Sequence, residues 1–346
     1  MFYIHQTSCI SPQQTFYNTA IDDLETPVNN RLHAVEPAYN DMPKNSLRRM
    51  GKTARIGIGA AMPLIKQVEG FNGIIIGTGN GGMEDSVIFL KEIIEYNEGL
   101  LTPGHFVQST ANALASQLSL ASLNRGYNIT HVHRGLAFEM AAIDTAMLLR
   151  ENARNCYLLG GVDEISSYNY KLECLDGWYK KEDISSGGFY SSNTTGTVAG
   201  EGAVMLLVNN DKYNAVAKVV NISTLHTIVA MKMQQHLQQF LEQHINTNID
   251  LLLSGENGDS RLLAYYANAE NLLKNDIAVA RFKHMCGEYP TSSAFALWLA
   301  CKLISGVPLP AHMLKKGDSK TTYSNILIYN CHKGVQHSFM LVSKTE

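Results

Sequence analysis

The sequence predicts a layered α/β fold, and three observations carry that expectation. Apolar strands closed by glycine recur along the chain, as in Gly73-Ile74-Ile75-Ile76-Gly77, Cys156-Tyr157-Leu158-Leu159-Gly160-Gly161 and Leu251-Leu252-Leu253-Ser254-Gly255. Continuous apolar runs of this length read as strands buried on both faces. Helix-period segments separate them, the pattern of alternating strands and helices. The order of elements in the first half returns in the second, although the sequences differ.

Met1–His5 reads as a first strand. Residues 11–50 are polar and irregular, with Pro12, Pro27, Pro37 and Pro43, and read as a long surface excursion ending in a helix start near Leu47. A helix is predicted over Arg55–Val68, where small residues allow close packing. The triple-isoleucine strand follows, then a helix over Met83–Tyr96 whose first turn carries Glu84 and Asp85, suited to the positive end of the helix dipole. One long helix is predicted from Phe106 to Leu123, a short strand over Asn128–Val132, and a helix over Gly135–Arg150. Strands at Cys156–Gly161 and Ala203–Val208 close the first half. The second half reads as strand Ala215–Ile222, helix Val229–Gln243, strand Asp250–Gly255, helix Asp259–Asn271, strand Ile277–Phe282, helix Ser292–Ile304, and strands Asn325–Asn330 and Ser338–Val342. Residues 1–208, with the excursion at 11–46, and residues 209–346 are expected to form two halves of one compact unit.

With 346 residues, 45% hydrophobic and 17% charged, the chain is globular and holds enough apolar material for a large core. A net charge of −3 without a run of Lys or Arg gives no footprint for nucleic acid. No window approaches the roughly 18 apolar residues of a membrane span, and the N-terminus lacks a signal-peptide pattern. The six cysteines are scattered with no Cys-x-x-Cys pair, which suits buried thiols in the cytoplasm. His131 and His133 share a strand face, but no third ligand is near, so no metal is expected. Gly77-x-Gly79-x-x-Gly82 fits dinucleotide spacing, but the acidic partner in a second strand is missing. No cofactor is expected.

Several glycine-marked segments are informative together. Gly160-Gly161-Val162-Asp163-Glu164 closes one strand. Gly196-Thr197-Val198-Ala199-Gly200-Glu201-Gly202-Ala203 opens the next. Upstream lie Gly77-Thr78-Gly79-Asn80-Gly81-Gly82 and Pro103, Phe106, Ser109 and Asn112. In this order they resemble the β-ketoacyl synthase family, well over residues 47–208 and loosely over 250–342. The resemblance implies a thiolase-like fold: two pseudo-repeated halves in five αβαβα layers.

It also implies a cysteine nucleophile at a helix N-terminus, two histidines, and a lysine beside them. Counting back from Gly160-Gly161, the cysteine position falls on Gly135, within His131-Val132-His133-Arg134-Gly135-Leu136-Ala137-Phe138-Glu139. A glycine cannot hold an acyl group. The first histidine position falls on Ser254 or Glu256. The second falls on Glu288, five residues after the retained Lys283. The family's glycine-rich loop near the C-terminus becomes Asn330-Cys331-His332-Lys333-Gly334-Val335-Gln336.

A scaffold kept while its chemistry is lost is similar to the chain-length factors of this family, in particular those of aryl polyene or flexirubin-like pigment clusters. The resemblance implies a heterodimer with a catalytic ketosynthase and work on acyl carrier protein. Phe106, Gln108, Ser109, Asn112, Arg134 and Phe138 are the expected tunnel and interface residues. The alternative is an atypical condensing, decarboxylating or acyltransfer enzyme using Lys283, Glu288 or Cys286. A carrier-protein or lipid-binding module acting alone is a third. Arg134 is expected to satisfy Glu139, or to fill the empty pocket as an ion pair with Glu139, Glu256 or Glu288, since an unpaired buried ion costs several kcal/mol.

Overall fold

The computed structural model describes residues 1–345 apart from 19, 20, 41, 43 and 49; Pro43 therefore lies outside the described residues. Its core is one continuous sheet of eleven strands: β1 (Phe2–Ile10), β2 (Gly73–Gly77), β3 (Tyr127–His131), β4 (Cys156–Asp163), β5 (Gly202–Asn209), β6 (Ala217–His226), β7 (Leu251–Ser254), β8 (Ala278–Arg281), β9 (Leu314–Lys316), β10 (Asn325–His332) and β11 (Gln336–Ser343). They run in the spatial order β9-β8-β7-β10-β11-β6-β1-β5-β4-β2-β3.

That order is one motif used twice. In the first half, β2 lies parallel between β3 and β4, while β4–β5 and β5–β1 are antiparallel. In the second half, β7 lies parallel between β8 and β10, while β10–β11 and β11–β6 are antiparallel. The halves join where Phe2, Tyr3 and Ile4 pair with Val219, Lys218 and Ala217.

The helices complete the layers. Helices α1 (Lys52–Ile65) and α3 (Ala113–Ser122) cover the outer face of the first half, and α2 (Met83–Glu95) lies beyond them. Helices α5 (Ala230–Gln243) and α6 (Leu263–Asn271) cover the second half. Between the inner faces of the two halves of the sheet lie α4 (Ala137–Glu151) and α7 (Ser292–Ile304), each touching strands of both halves. Helix α7 is apolar all round because it is buried all round; only Lys302 is partly open. This is the five-layered, doubled α/β fold that the sequence predicts.

The structure departs from the predicted elements at four places. The single helix over 106–123 is two, Pro103–Gln108 and Ala113–Ser122. Asn112 sits at the break and turns its side chain to Ser116, Asn128 and Thr130, the local competition that keeps Asn out of helix interiors. Helix Ser167–Leu175, capped by Ser166, and strand β9 are additional. The excursion is not purely superficial, because Ser11, Gln13, Thr15, Ile21 and Leu32 are buried and Gln13 Nε2 donates to the carbonyl of Met285 at 2.6 Å. Among the described residues, no helix is long and apolar enough to cross a membrane.

Candidate functional site

The two acidic motif residues at the end of the first half are structural hubs. Asp163 ends β4 and accepts five hydrogen bonds: from Thr78 Oγ1 (3.0 Å) and the amides of Gly79 and Asn80 (2.9 Å each), and from the amide and hydroxyl of Thr291 (3.0 and 2.8 Å). It pins the glycine-rich turn after β2 to the start of α7. Glu201 binds Lys52, His33 and the amides of Ala34 and Ile165. Burial alone would raise its pKa, but His33 and Lys52 hold it down to about 2. The excursion, α1 and the segment after β4 thus share one carboxylate.

Four segments meet at the start of α4. Gly135 lies in the 3₁₀ turn Arg134–Leu136 that leads into the helix. Lys283 and Glu288 follow β8. Asn257 follows β7, and His332 ends β10. Lys283 Nζ, fully buried, donates to Glu288 Oε1 at 2.8 Å and to Ser292 Oγ at 2.5 Å. Asn257 Nδ2 donates to Glu288 Oε2 at 2.9 Å. His332 Nδ1 approaches Glu288 Oε1 at 3.5 Å, an ion-pair distance rather than a hydrogen bond. Burial opposes ionisation of Glu288, but Lys283 and His332 hold its carboxyl down to about 2. The buried lysine and carboxylate are mutually compensated, as buried charges must be.

Gly135 has no room for a side chain. A Cβ there would lie 2.2 Å from His332 Cβ and 2.3 Å from its Cγ. Its amide donates to Gln336 Oε1 at 2.9 Å, and Gln336 Nε2 donates to the carbonyl of His133 at 3.3 Å. A cleft of about 660 Å³ opens over this point, lined among others by Asn80, Arg134, Trp178, His226, His332 and Gln336.

The structure brings Gly135, Lys283 and Glu288 into one place. It does not bring Ser254 or Glu256 there. Ser254 accepts from the amide of Glu256, and Glu256 pairs outward with Arg281 and Lys315. Asn257, one residue further, faces Glu288 instead. Arg134 makes no ion pair among the described residues, which corrects the expected pairing with Glu139, Glu256 or Glu288. Its backbone is left-handed, with φ 49°, and its side chain is exposed in the cleft. Glu139 is fully buried, accepts from Ser338 Oγ at 2.6 Å, and leaves Oε2 without a partner; burial pushes its carboxyl up. Phe138 is core.

Phe106 is 60% exposed and leans on Phe89. Gln108 accepts from the amide of Gly51, and Ser109 Oγ donates to the carbonyl of Phe106. His131 pairs with Asp144. The described residues contain no cluster suited to a metal ion. Cys286 is buried, with its thiol pushed up rather than down by desolvation, the reverse of an activated nucleophile. Sequence reasoning missed His332 and Gln336 as site residues. The only signal was their position in the loop that replaces the glycines.

Comparison with known proteins agrees with this architecture. Residues 24–173 match the family model described as the beta-ketoacyl synthase N-terminal domain. No curated protein matches the sequence. Among solved structures, a beta-ketoacyl synthase from Burkholderia phymatum STM815 is similar over 100% of this chain and 99% of its own, with TM-score 0.80 and 13% identity. The ishigamide ketosynthase/chain length factor covers 100% and 99%, with TM-score 0.78 and 12% identity. The ketosynthase ApeO in complex with its chain length factor ApeC, from Xenorhabdus doucetiae, covers 99% and 98%, with TM-score 0.76 and 12% identity. The chain thus has the thiolase-like fold of these structures over its whole length. Residues 24–173, less than half of the chain, carry the likeness in sequence to the beta-ketoacyl synthase N-terminal domain.

Proposed function

We propose that this chain is the non-catalytic, chain-length-factor-like member of a ketosynthase pair, working on chains carried by acyl carrier protein in polyketide, polyene or fatty-acid-type elongation. The observation that carries the reading is Gly135: the helix start that holds the family's nucleophile has neither a side chain nor space for one. The surface around it supports a partner. Strand β3 is the open end of the sheet. Beside it Phe106, Val107, Leu120, Leu123 and Val132 are all more than half exposed. An unpaired edge strand beside apolar side chains is a pairing surface. Inside, the void between Gly51, Thr53, Thr78, Gly82, Gln108 and Leu114 is about 20 Å³, room for about one water. In this reading the growing chain lies in the partner, with Phe106, Gln108, Ser109 and Asn112 at its wall. Aryl polyene or flexirubin-like products are the finer reading. The six cysteines are free thiols, in keeping with a cytoplasmic setting.

The test is co-expression with a candidate ketosynthase partner, followed by size-exclusion chromatography and elongation of malonyl carrier protein. A one-to-one complex is expected, active only while the partner keeps its cysteine. Phe106→Ala and Ser109→Trp are expected to shift the product-length distribution without abolishing turnover. Turnover of malonyl carrier protein by this chain alone would overturn the reading.

A further inference from the structure

We propose that His332 and Gln336 hold the site shut, and that position 135 is glycine because of them. A ketosynthase-type site needs two things at a helix start: a side chain with room to stand, and a free amide to receive the negative oxygen of the tetrahedral intermediate. Here each is taken by a separate residue. The imidazole of His332 stands where the side chain would go. Gln336 Oε1 accepts the amide of Gly135 at 2.9 Å, which leaves that donor occupied.

The two residues are placed by one device. His332 and Gln336 are partners in the last pair of the β10–β11 ladder. Lys333 and Gly334 turn the chain between them in left-handed conformations, with φ 55° and 68°. Lys333 Nζ is anchored to Glu173 at 2.5 Å, and His332 is backed by Glu288. The closest approach to a Cβ on residue 135 is His332 Cβ, at 2.2 Å. That atom is fixed by the strand backbone, so a rotamer change cannot relieve the clash. The glycine and the histidine are therefore one coupled choice. Restoring a cysteine at 135 by itself does not restore a site. At least two positions must change together.

The test is a double-mutant cycle on the full chain, read by thermal unfolding, with Gly135→Ala, His332→Gly and the double variant. Gly135→Ala is expected to lower Tm by roughly 4 °C or more, and His332→Gly to lower it by opening a cavity. The double variant should lie well above the sum of the two losses, because the methyl enters the space the imidazole vacates. Additive losses, or a Gly135→Ala chain as stable as the parent, would overturn the proposal. A second readout is chemical. Gly135→Cys and Gly135→Cys/His332→Gly are treated with iodoacetamide, and labelling at residue 135 is followed by peptide mass spectrometry. The pair is expected to label at least about 10-fold faster than the single variant, since only there is the thiol both accommodated and at a helix start. Equal rates would count against the plug. If the single cysteine variant does not fold, the alanine cycle still decides. Neither readout involves a ketosynthase, so failure here is distinct from failure of the proposed pairing.

Discussion

The two halves of this chain share a strand order and differ at matching places. Strand β4 ends the first half's central run at Asp163, and β10 ends the second half's at His332. Each residue reaches across to the start of the other half's middle helix. Asp163 binds Thr291 before α7, and His332 lies against Gly135 before α4. One is an anchor with five hydrogen bonds. The other is a filler whose Nδ1 makes none. The outer edges differ too. In the second half, β8 is covered by β9, which brings Lys315 and Lys316 to the rim. In the first half, β3 is bare, and Met147 of α4 is 56% exposed. The second half closes on itself. The first leaves an open strand with apolar side chains exposed beside it, as the proposed pairing requires.

The anchor and filler roles separate in stability. Asp163→Ala strands the amides of Gly79, Asn80 and Thr291 in the interior, and is expected to cost about 3–5 kcal/mol in denaturant unfolding. His332→Ala removes a ring with few polar ties and is expected to cost only about 1–3 kcal/mol. Equal losses would mean that the two strand ends do the same work. The edges separate in association. Leu120→Asp with Val132→Asp is expected to weaken the ketosynthase complex by at least about 30-fold, roughly 2 kcal/mol. Lys316→Glu, at the covered edge, should leave the dissociation constant within about twofold. A reversed pattern in a titration of the two subunits would place the interface on the wrong half.

How much of this was legible in the sequence follows from what each feature depends on. The strand at Ile74–Ile76 and the helix at Ser292–Ile304 declare themselves because total burial leaves an unbroken apolar run. Gly135, Lys283 and Glu288 are reached only through the family resemblance, Gly135 by counting back from Gly160-Gly161 and Glu288 as the fifth residue after Lys283. The break at Asn112 was hidden, because its cause is a set of side-chain bonds to a strand not yet formed. Strand β9 was hidden because three residues, two of them lysine, carry no period. Asn257 rather than Ser254 or Glu256 faces Glu288, since Glu256 is drawn to Arg281 and Lys315, partners distant in sequence. His332 was signalled only by its place in the loop where the family's glycines are expected; its role is a contact with a residue in the other half, which no local pattern encodes.

The smallest expected effect concerns acid. In the second half, His284 Nδ1 lies 3.0 Å from Tyr190 OH and its Nε2 lies 2.8 Å from His312 Nδ1. Burial first, then His312 and Arg281, lower its pKa to about 3. His337 lies between Tyr329 OH and the carbonyl of Thr227. Burial lowers its pKa to about 4, with His226 and His236 acting in the same direction and the Thr227 carbonyl opposing. In the unfolded chain both titrate near 6.5. Between that value and 3–4 the unfolded state binds more protons than the folded one, so stability is complete above pH 6.5 and falls as pH drops below it. Glu201 and Glu288, held near 2, add their loss only below about 4.5. Glu164 in the first half, raised to about 7 mainly by burial, gains stability over the same range and opposes the histidines, so the readable effect is the difference between variants: His337→Gln is expected to lose less Tm than the parent between pH 7.5 and pH 5. Hydrogen exchange gives the sharper form of the comparison. At pH 5, β11 and residues 283–288 should gain exchange relative to pH 7.5 before β2 and β4 do, because the buried neutral histidines belong to the second half alone. Uniform loosening of both halves would show that the doubled fold responds to acid as one unit despite its unequal charges.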